Sequence, residues 1–388
     1  MKHLPRFGAS DAQPRYNAVH PWREVVMVSR RAFALAGLAC AASSCSLEPY
    51  AERSLRRFNS AHSRLEATAV KEGALRIGAA AGPEGGFKDL FVGFTRRYPA
   101  IALEYHRPTS TQLSAQFLRD AAAGRATADI LISSAMDLQF KLVNDNFARA
   151  YDSPQKPYLP GWAVWKDQAY AITAEPIVFV YNRALMPPED VPGSHDALTD
   201  LLRRKPVEYQ GRIATYDPTR SGTGYFYYTQ DLLISRDTLD LVAAVGRTHP
   251  GLYISGGSTI EKVMAGEHLL AYNMVSSYNL ERQANNPNIG IVYPSDYTLV
   301  MSHIALIPKT ARHPAAASLF LDFALSEAGQ AILAGHYIRP IRAGVTMAGP
   351  LPSSDVLRPI HFGPSLLASL DEFRRQSVLR EWRRAIGS

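Results

Sequence analysis

The stretch LRIGAAAGPEGGFKDLFVGFTRRYPAIALEY (Leu75–Tyr105) decides the fold class. Its first six residues form a short, mostly apolar run that leads into a glycine-rich loop, the pattern of a β-strand. Phe87, Leu90, Phe91 and Phe94 then recur at helical spacing. Ile101–Tyr105 is a second short strand. The alternation continues with a helix over Gln112–Ala123, whose Leu113, Phe117 and Leu118 share one face. A third strand, ADILIS (Ala128–Ser133), and a helix from Met136 follow. Strands alternating with helices at this spacing imply a mostly parallel, open α/β sheet.

Farther along, YAITAEPIVFVYN (Tyr170–Asn182) is long and β-prone but broken by Pro176. Proline donates no ladder hydrogen bond, which argues against one continuous central strand and suits a chain passing from one domain into another. A second unit then repeats the style of the first. It has a helix at Asp196–Arg203, a strand at Arg212–Thr215, a helical stretch after Gly224, a helix at Thr259–Ala265 and a strand at His268–Asn273. Thr298–Ile307 is again apolar and strand-like, and Pro314–Leu325 is a helix with Ala317, Leu319, Phe320, Phe323 and Ala324 on its apolar face. The charged helical tail, Ser365–Ile386, is expected to cover the outside of the first domain.

The 388 residues leave room for two domains, and 46% hydrophobic with 20% charged residues is the composition of a globular chain with a core. The net charge of +7 is unevenly placed. Residues 1–45 hold six Lys/Arg and two Asp/Glu, and the remainder carries 36 basic and 33 acidic residues. That balance lacks the basic stripe of a nucleic-acid binder, and no nucleic-acid partner is expected. The two cysteines, Cys40 and Cys45, both lie in the leader, so the body has neither a disulfide framework nor a thiolate metal site.

Val28–Cys45 reads VSRRAFALAGLACAASSC. Arg30 and Arg31 precede an uncharged apolar run of signal-peptide size, too short to span a bilayer. Ser29–Phe33 also resembles the start of a twin-arginine signal, and that route and the general secretory route both stay open. Residues 1–45 are thus expected to be an export signal, with Met27 placed to be the true start. Small residues before Cys45 resemble a lipoprotein cleavage site, without the usual leucine. The product is expected to be periplasmic, either tethered through a lipidated Cys45 or released by cleavage nearby. Residues 46–74 are polar, with Arg53, Arg56 and Arg57 close together, and are expected to form a linker, either a tether or a short amphipathic helix.

Five segments in order carry a resemblance: LRIGAAAG near the start of the body, ADILISS, GRIATYDPTRSGTGY, GEHLLAYNMVSSYNLERQ and HPAAASLFLDFALSEAGQAIL. Together, from about Leu75 to Arg342, they resemble the periplasmic solute-binding proteins of ABC transporters, in the class II subgroup that binds ferric ion, phosphonates or organophosphates. The resemblance implies two α/β lobes, each an open mixed sheet flanked by helices, with a hinge between them. Lobe 1 would be residues 75–173 plus 299–388 and lobe 2 residues 174–298, with the crossovers near Ala174 and Thr298. It implies a small anionic ligand in the cleft, an inner-membrane ABC permease as partner, alone or with a sensor kinase, a monomer, and no cofactor.

Ligands of open α/β sheets sit outside the carboxyl ends of strands, at helix N-termini. Four loops qualify. Ala81 and Gly82 open a glycine-rich loop whose backbone N–H groups can approach a ligand, although the spacing and lysine of a nucleotide loop are missing. Ser133 and Ser134 end the third strand. Asp217–Tyr225 is the richest loop: Thr219, Ser221 and Thr223 supply hydroxyls, and Gly222 frees the backbone at a helix start that favours negative charge. The fourth holds Tyr278 and Asn279, where ferric binders of the family carry adjacent tyrosines. With Asn279 as the second residue the resemblance to a metal site is incomplete, so no metal ligand is expected beyond Tyr278, should the cargo be iron.

Three functions compete: capture of a phosphorylated or phosphonate compound, capture of ferric iron, and a periplasmic hydrolase. The first needs hydroxyls and helix N-termini, which are present in number. The second needs a cluster of anionic oxygens, which is mostly missing. The third finds no G-x-S-x-G elbow, no H-E-x-x-H and no cysteine nucleophile. A binding protein for a small anionic solute, not an enzyme, is therefore expected. Export predicts that residues up to about Ser44 are absent from the mature protein. The intact mass of the native product checks this, and a full-length cytoplasmic product would overturn it.

Overall fold

The computed structural model describes residues 50–80 and 86–387, with side chains from Ser60 onward. The leader, Cys45 and the loop residues Ala81 and Gly82 lie outside them. The first part of the chain forms α1 (Tyr50–Glu72), β1 (Ala74–Ala80), α2 (Gly86–Arg97), β2 (Ala102–His106), α3 (Ser110–Ala122), β3 (Ile130–Ser133), α4 (Met136–Asn144), β4 (Val164–Trp165) and β5 (Ala169–Ala171). The middle part forms β6 (Glu175–Asn182), α5 (His195–Arg204), β7 (Ile213–Tyr216), α6 (Gly222–Ile234), α7 (Thr238–Arg247), β8 (Gly251–Tyr253), α8 (Gly256–Met264), β9 (Leu270–Val275), α9 (Ser276–Asn285), β10 (Ile289–Val292) and β11 (Thr298–Met301). The last part forms β12 (Ile304–Leu306), α10 (Pro314–Leu325), α11 (Glu327–Gly335), β13 (Leu357–Pro359) and α12 (Glu372–Ile386).

These elements build two mixed sheets flanked by helices. The first runs β2-β1-β3-β12-β5-β4; the second runs β13-β11-β6-β9-β7-β8, with β10 also on β6. In the first, β1 is parallel to β2 and β3 while β12 runs antiparallel to β3. In the second, β7 is parallel to β8 and β9 while β6 runs antiparallel to β9. The central strands β3 and β9 are buried along their whole length. That is why they read as continuous apolar runs: a sheet covered on both faces has no solvent side to alternate with.

The run Tyr170–Asn182 divides as its proline suggested. β5 belongs to the first sheet and β6 to the second, and Pro176 sits in β6 opposite Val300. The second apolar run divides too, which hydropathy did not reveal. β11 lies in the second sheet and β12 in the first, so the chain crosses at Ser302–His303 rather than near Thr298. A run apolar on both sides of the crossing gives no sign of where it changes sheet.

Of the two alternatives for residues 46–74, a tether or a short amphipathic helix, the structure has a helix, the 23-residue α1. Leu65 packs against the core, Ala69 is fully buried, and α1 lies along α10. Glu72 at its end accepts the Ala315 and Ala316 N–H groups at 3.1 and 2.8 Å. It thereby caps the first turn of α10, whose own N-cap residue, His313, makes no capping side-chain bond. One further expectation is corrected: the tail does not stay with the first lobe. β13 pairs with β11 of the second sheet, Phe362 meets Phe140 of α4 with ring centroids 5.2 Å apart, and α12 packs on α7.

The α7–α12 crossing is tight because Gly246 faces the Ile386 backbone. A Cβ on residue 246 would lie 2.5 Å from the Ile386 carbonyl oxygen and 2.7 Å from its carbon. Backbone cannot yield as a side-chain tip can. Gly246→Ala should therefore force the helices apart and destabilise the protein by about 1–3 kcal/mol. Urea denaturation checks this, and an unchanged midpoint would show that α12 is not docked.

Candidate functional site

Parallel pairing places the carboxyl ends of β1, β2 and β3 along one edge of the first sheet, where α2, α3 and α4 begin. The same holds in the second sheet for β7, β8 and β9, where α6, α8 and α9 begin. Each lobe thus offers three helix N-termini along one sheet edge. Unpaired N–H groups and the helix dipole make such an edge attractive to anions.

The sequence-predicted residues fall on these edges. Ser133 is buried; its hydroxyl donates to Ser110 Oγ at 2.9 Å and accepts the Ala135 N–H at 3.1 Å. Half-buried Ser110, at the start of α3, is thus part of the same group. Ser134 is half-buried beside it. On the second lobe, Ser221 caps α6 by accepting the Gly224 N–H at 3.1 Å, and Gly222 and Thr223 are exposed in the first turn. Thr219 is held by Asp217 Oδ1, to which its N–H and hydroxyl donate at 2.9 and 2.5 Å. Gly224 has no alternative residue, because a Cβ there would lie 2.4 Å from Tyr216 Cβ. This brings the start of α6 down onto β7. Tyr278 is half-buried near the start of α9, whereas Asn279 is buried and its amide donates to the Val275 carbonyl at 2.6 Å.

Several site-edge residues escaped the sequence reading. Ser255 caps α8, and Gly256 and Gly257 follow it in the first turn. The signal, Ser-Gly-Gly-Ser after a strand, was there, but β8 has only three residues and did not read as a strand. The two chain crossovers also meet here. Glu175 and His303 are both fully buried, with His303 Nδ1 2.7 Å from Glu175 Oε1. The Thr173 hydroxyl donates to the same oxygen at 2.9 Å, and the Ser277 hydroxyl, in the first turn of α9, donates to Oε2. Burial works to raise the Glu175 pKa, but the His303 charge and the hydrogen bonds from His303, Ser277 and Thr173 outweigh it and hold the carboxyl below its ordinary value.

Other contacts join the lobes nearby. The Phe87 ring, at the start of α2, lies 4.8 Å from that of His303. His336, just after α11, has Nε2 2.9 Å from Asp89 of α2 and Nδ1 3.9 Å from Glu281 of α9. Among the described residues, no three His, Cys, Asp or Glu side chains gather as a metal site would require.

A profile described as bacterial extracellular solute-binding protein matches residues 75–339. Among solved structures, the substrate binding protein of the ABC transporter from Agrobacterium tumefaciens is 33% identical with a TM-score of 0.73, over 81% of this chain and 94% of that one. Iron-bound HitA from Pseudomonas aeruginosa is 20% identical with a TM-score of 0.64, over 80% and 99%. AfuA from Actinobacillus pleuropneumoniae, with exogenous fructose-6-phosphate bound, is 17% identical with a TM-score of 0.62, over 81% and 99%. At such identities the last two bear on the fold alone. No curated protein sequence matches the chain.

Glu175→Gln keeps the shape of the side chain and removes its charge from the buried pair. It should lower stability at neutral pH by about 3–5 kcal/mol. The wild-type carboxyl is held below its ordinary 4.5, so its contribution is complete above that value and is lost as pH falls through the lower folded-state value. Urea titrations at neutral pH and down the acid limb check both points. Parallel acid limbs in wild type and variant would count against a charged pair.

Proposed function

Since the chain belongs to the bacterial extracellular solute-binding proteins, a family of binding proteins rather than enzymes, we propose that it captures a phosphorylated or phosphonate organic compound. The ligand would lie in the cleft between the two lobes and pass to an inner-membrane ABC permease. The observation that carries this reading is the pairing of two sheet edges, each with three helix N-termini and each supplied with hydroxyls: Ser110, Ser133 and Ser134 on one, Ser221, Thr223 and Ser255 on the other. Phosphoryl oxygens are acceptors; Ser133 already donates to Ser110, which passes the donor capacity on to the Ser110 hydroxyl, and the other hydroxyls can donate to the ligand.

The ferric reading is weaker on the same residues. Phenolate and carboxylate oxygens suit a hard trivalent ion, and Tyr278 is followed by Asn279, whose amide is engaged with the Val275 carbonyl. On the proposed reading the protein works in the periplasm as a monomer, with Cys45 as the candidate site of lipid attachment. The lobes close by rotation at the two crossovers, a recognised mode of capture. A sensor kinase is the alternative recipient of the closed form.

Calorimetric titration against sugar phosphates, phosphoglycerates, 2-aminoethylphosphonate and ferric citrate tests the reading. At least one phosphoryl or phosphonate compound should bind tightly. Ser221→Ala and Thr223→Val should each weaken that binding roughly ten- to a hundredfold, the equivalent of losing a hydrogen bond to a charged group, about 1.5–3 kcal/mol. Tight ferric binding with a visible phenolate-to-iron band, and no response to any phosphorylated compound, would reverse the choice of ligand.

A further inference from the structure

A buried polar atom almost always has a hydrogen-bond partner, and one that lacks it calls for an explanation. Seven buried side-chain atoms among the described residues have none. Two, the hydroxyls of Tyr225 and Tyr228, lie on α6, where Arg375 of α12 covers the Tyr225 ring at 4.2 Å. The other five are Asn279 Oδ1, Tyr293 Oη, Ser302 Oγ, His303 Nε2 and Arg339 Nη1. They belong to the crossovers and the segments packed beside them. Scattered packing faults would have no reason to gather there.

Arg339 matters most, because it carries a charge. It follows α11, and its backbone carbonyl accepts the Ala174 N–H at 3.0 Å, which fixes it against the first crossover. Its guanidinium is partly buried, with Nη1 fully enclosed and unpaired. Burial pulls its pKa down from the ordinary value, opposed by Tyr293, yet an arginine stays protonated in a protein. A guanidinium partly withdrawn from water, with one enclosed nitrogen unpaired, carries a desolvation cost that an anion beside it would relieve. Tyr293, after β10 on the other lobe, lies near enough for its hydroxyl and the guanidinium to act on each other's charge. Burial pushes the Tyr293 hydroxyl up to about 12, against lowering by Arg339 and by Ser276 at the start of α9, so the phenol is a neutral donor without a protein acceptor.

A planar guanidinium, a phenol hydroxyl and a helix start, drawn from both lobes, form a donor set that fits a tetrahedral anion. We propose that Arg339 and Tyr293, beside Ser276, form the anchor for the charged group of the solute, a phosphoryl or phosphonate group, at the hinge side of the cleft. The proposal rests on the anionic-solute reading above and adds residues that the four sequence-predicted loops do not contain. Because Arg339 belongs to one lobe and Tyr293 to the other, one anionic group held by both would tie the lobes together in the closed form.

The test compares wild type with Arg339→Gln, Arg339→Lys and Tyr293→Phe in titrations with inorganic phosphate, glucose 6-phosphate and 2-aminoethylphosphonate, with thermal unfolding of each variant alongside. For whichever probe wild type binds, Arg339→Gln should weaken binding roughly ten- to a hundredfold. Arg339→Lys, which keeps the charge and loses the fork, should lose less, and Tyr293→Phe should lose severalfold. A purely structural arginine would not give this order among folded variants. If folded Arg339→Gln binds within twofold of wild type, the anchor is wrong and the anionic-solute reading stands. If wild type binds none of the three probes, the reading and the anchor fall together. Should Arg339→Gln not fold, Arg339→Lys and Tyr293→Phe decide by the same twofold criterion.

Discussion

The arrangement of the molecule depends on one buried pair, Glu175 with His303. Neither side chain has access to solvent, and two groups withdrawn from water are tolerated only when their hydrogen-bonding capacity is met. The glutamate meets that condition by collecting bonds from three segments. Thr173 lies on its own crossover, His303 on the other crossover, and Ser277 in the first turn of α9. The His303 N–H in turn donates to Thr173 Oγ1 at 2.8 Å. The two strands that join the lobes are therefore fixed to each other and to one of the helices that edge the candidate site. Any rotation of the lobes has to be absorbed by backbone torsions around this knot, not by sliding within it.

The tail adds a second constraint. After α11 the chain does not end on the first lobe. It crosses to pair β13 with β11, returns to lay Phe362 against α4, and crosses once more to dock α12 on α7. Leu379, Trp382 and Ile386 of α12 are buried, so the last crossing is anchored by packing rather than by charge alone. A protein joined only by two strands can open as far as their torsions allow. Here the tail adds further crossings between the two sheets, and on the solute-capture proposal these would limit how far the lobes open.

The sequence disclosed most about the elements whose physics is local. α10 was readable to the residue because a buried helix is apolar all round, and β3 because a doubly covered strand has no polar face. Pro176 marked one crossover, since a missing N–H is visible in the sequence itself. The crossover at Ser302–His303 was not visible: its meaning lies in the partner Glu175, 128 residues away. α1 and α12 were legible as helices, but not where they dock: α1 buries little beyond Leu65 and Ala69, and α12 buries only Leu379, Trp382 and Ile386. At the candidate site, hydroxyls and glycines at helix starts were legible as local motifs. Arg339 and Tyr293 were not, since an isolated arginine after a helix looks like any solvated charge until the fold encloses it.

On the anionic-solute proposal, the charge a ligand would carry between the two edges follows from which groups there are already engaged. Each helix start presents about half a positive charge, and α2, α3, α4, α6, α8 and α9 all start on the two edges. The carboxylates nearby are occupied: Asp217 by Thr219, Glu175 by His303, Asp89 by His336. The unpaired groups there include a donor and a cation, the hydroxyl of Tyr293 and Nη1 of the Arg339 guanidinium, beside one amide acceptor, Asn279 Oδ1. A hard metal cation asks for the opposite balance, with anionic oxygens free to converge. An anion with several acceptor oxygens meets this balance as it stands, without breaking any bond that holds the hinge together.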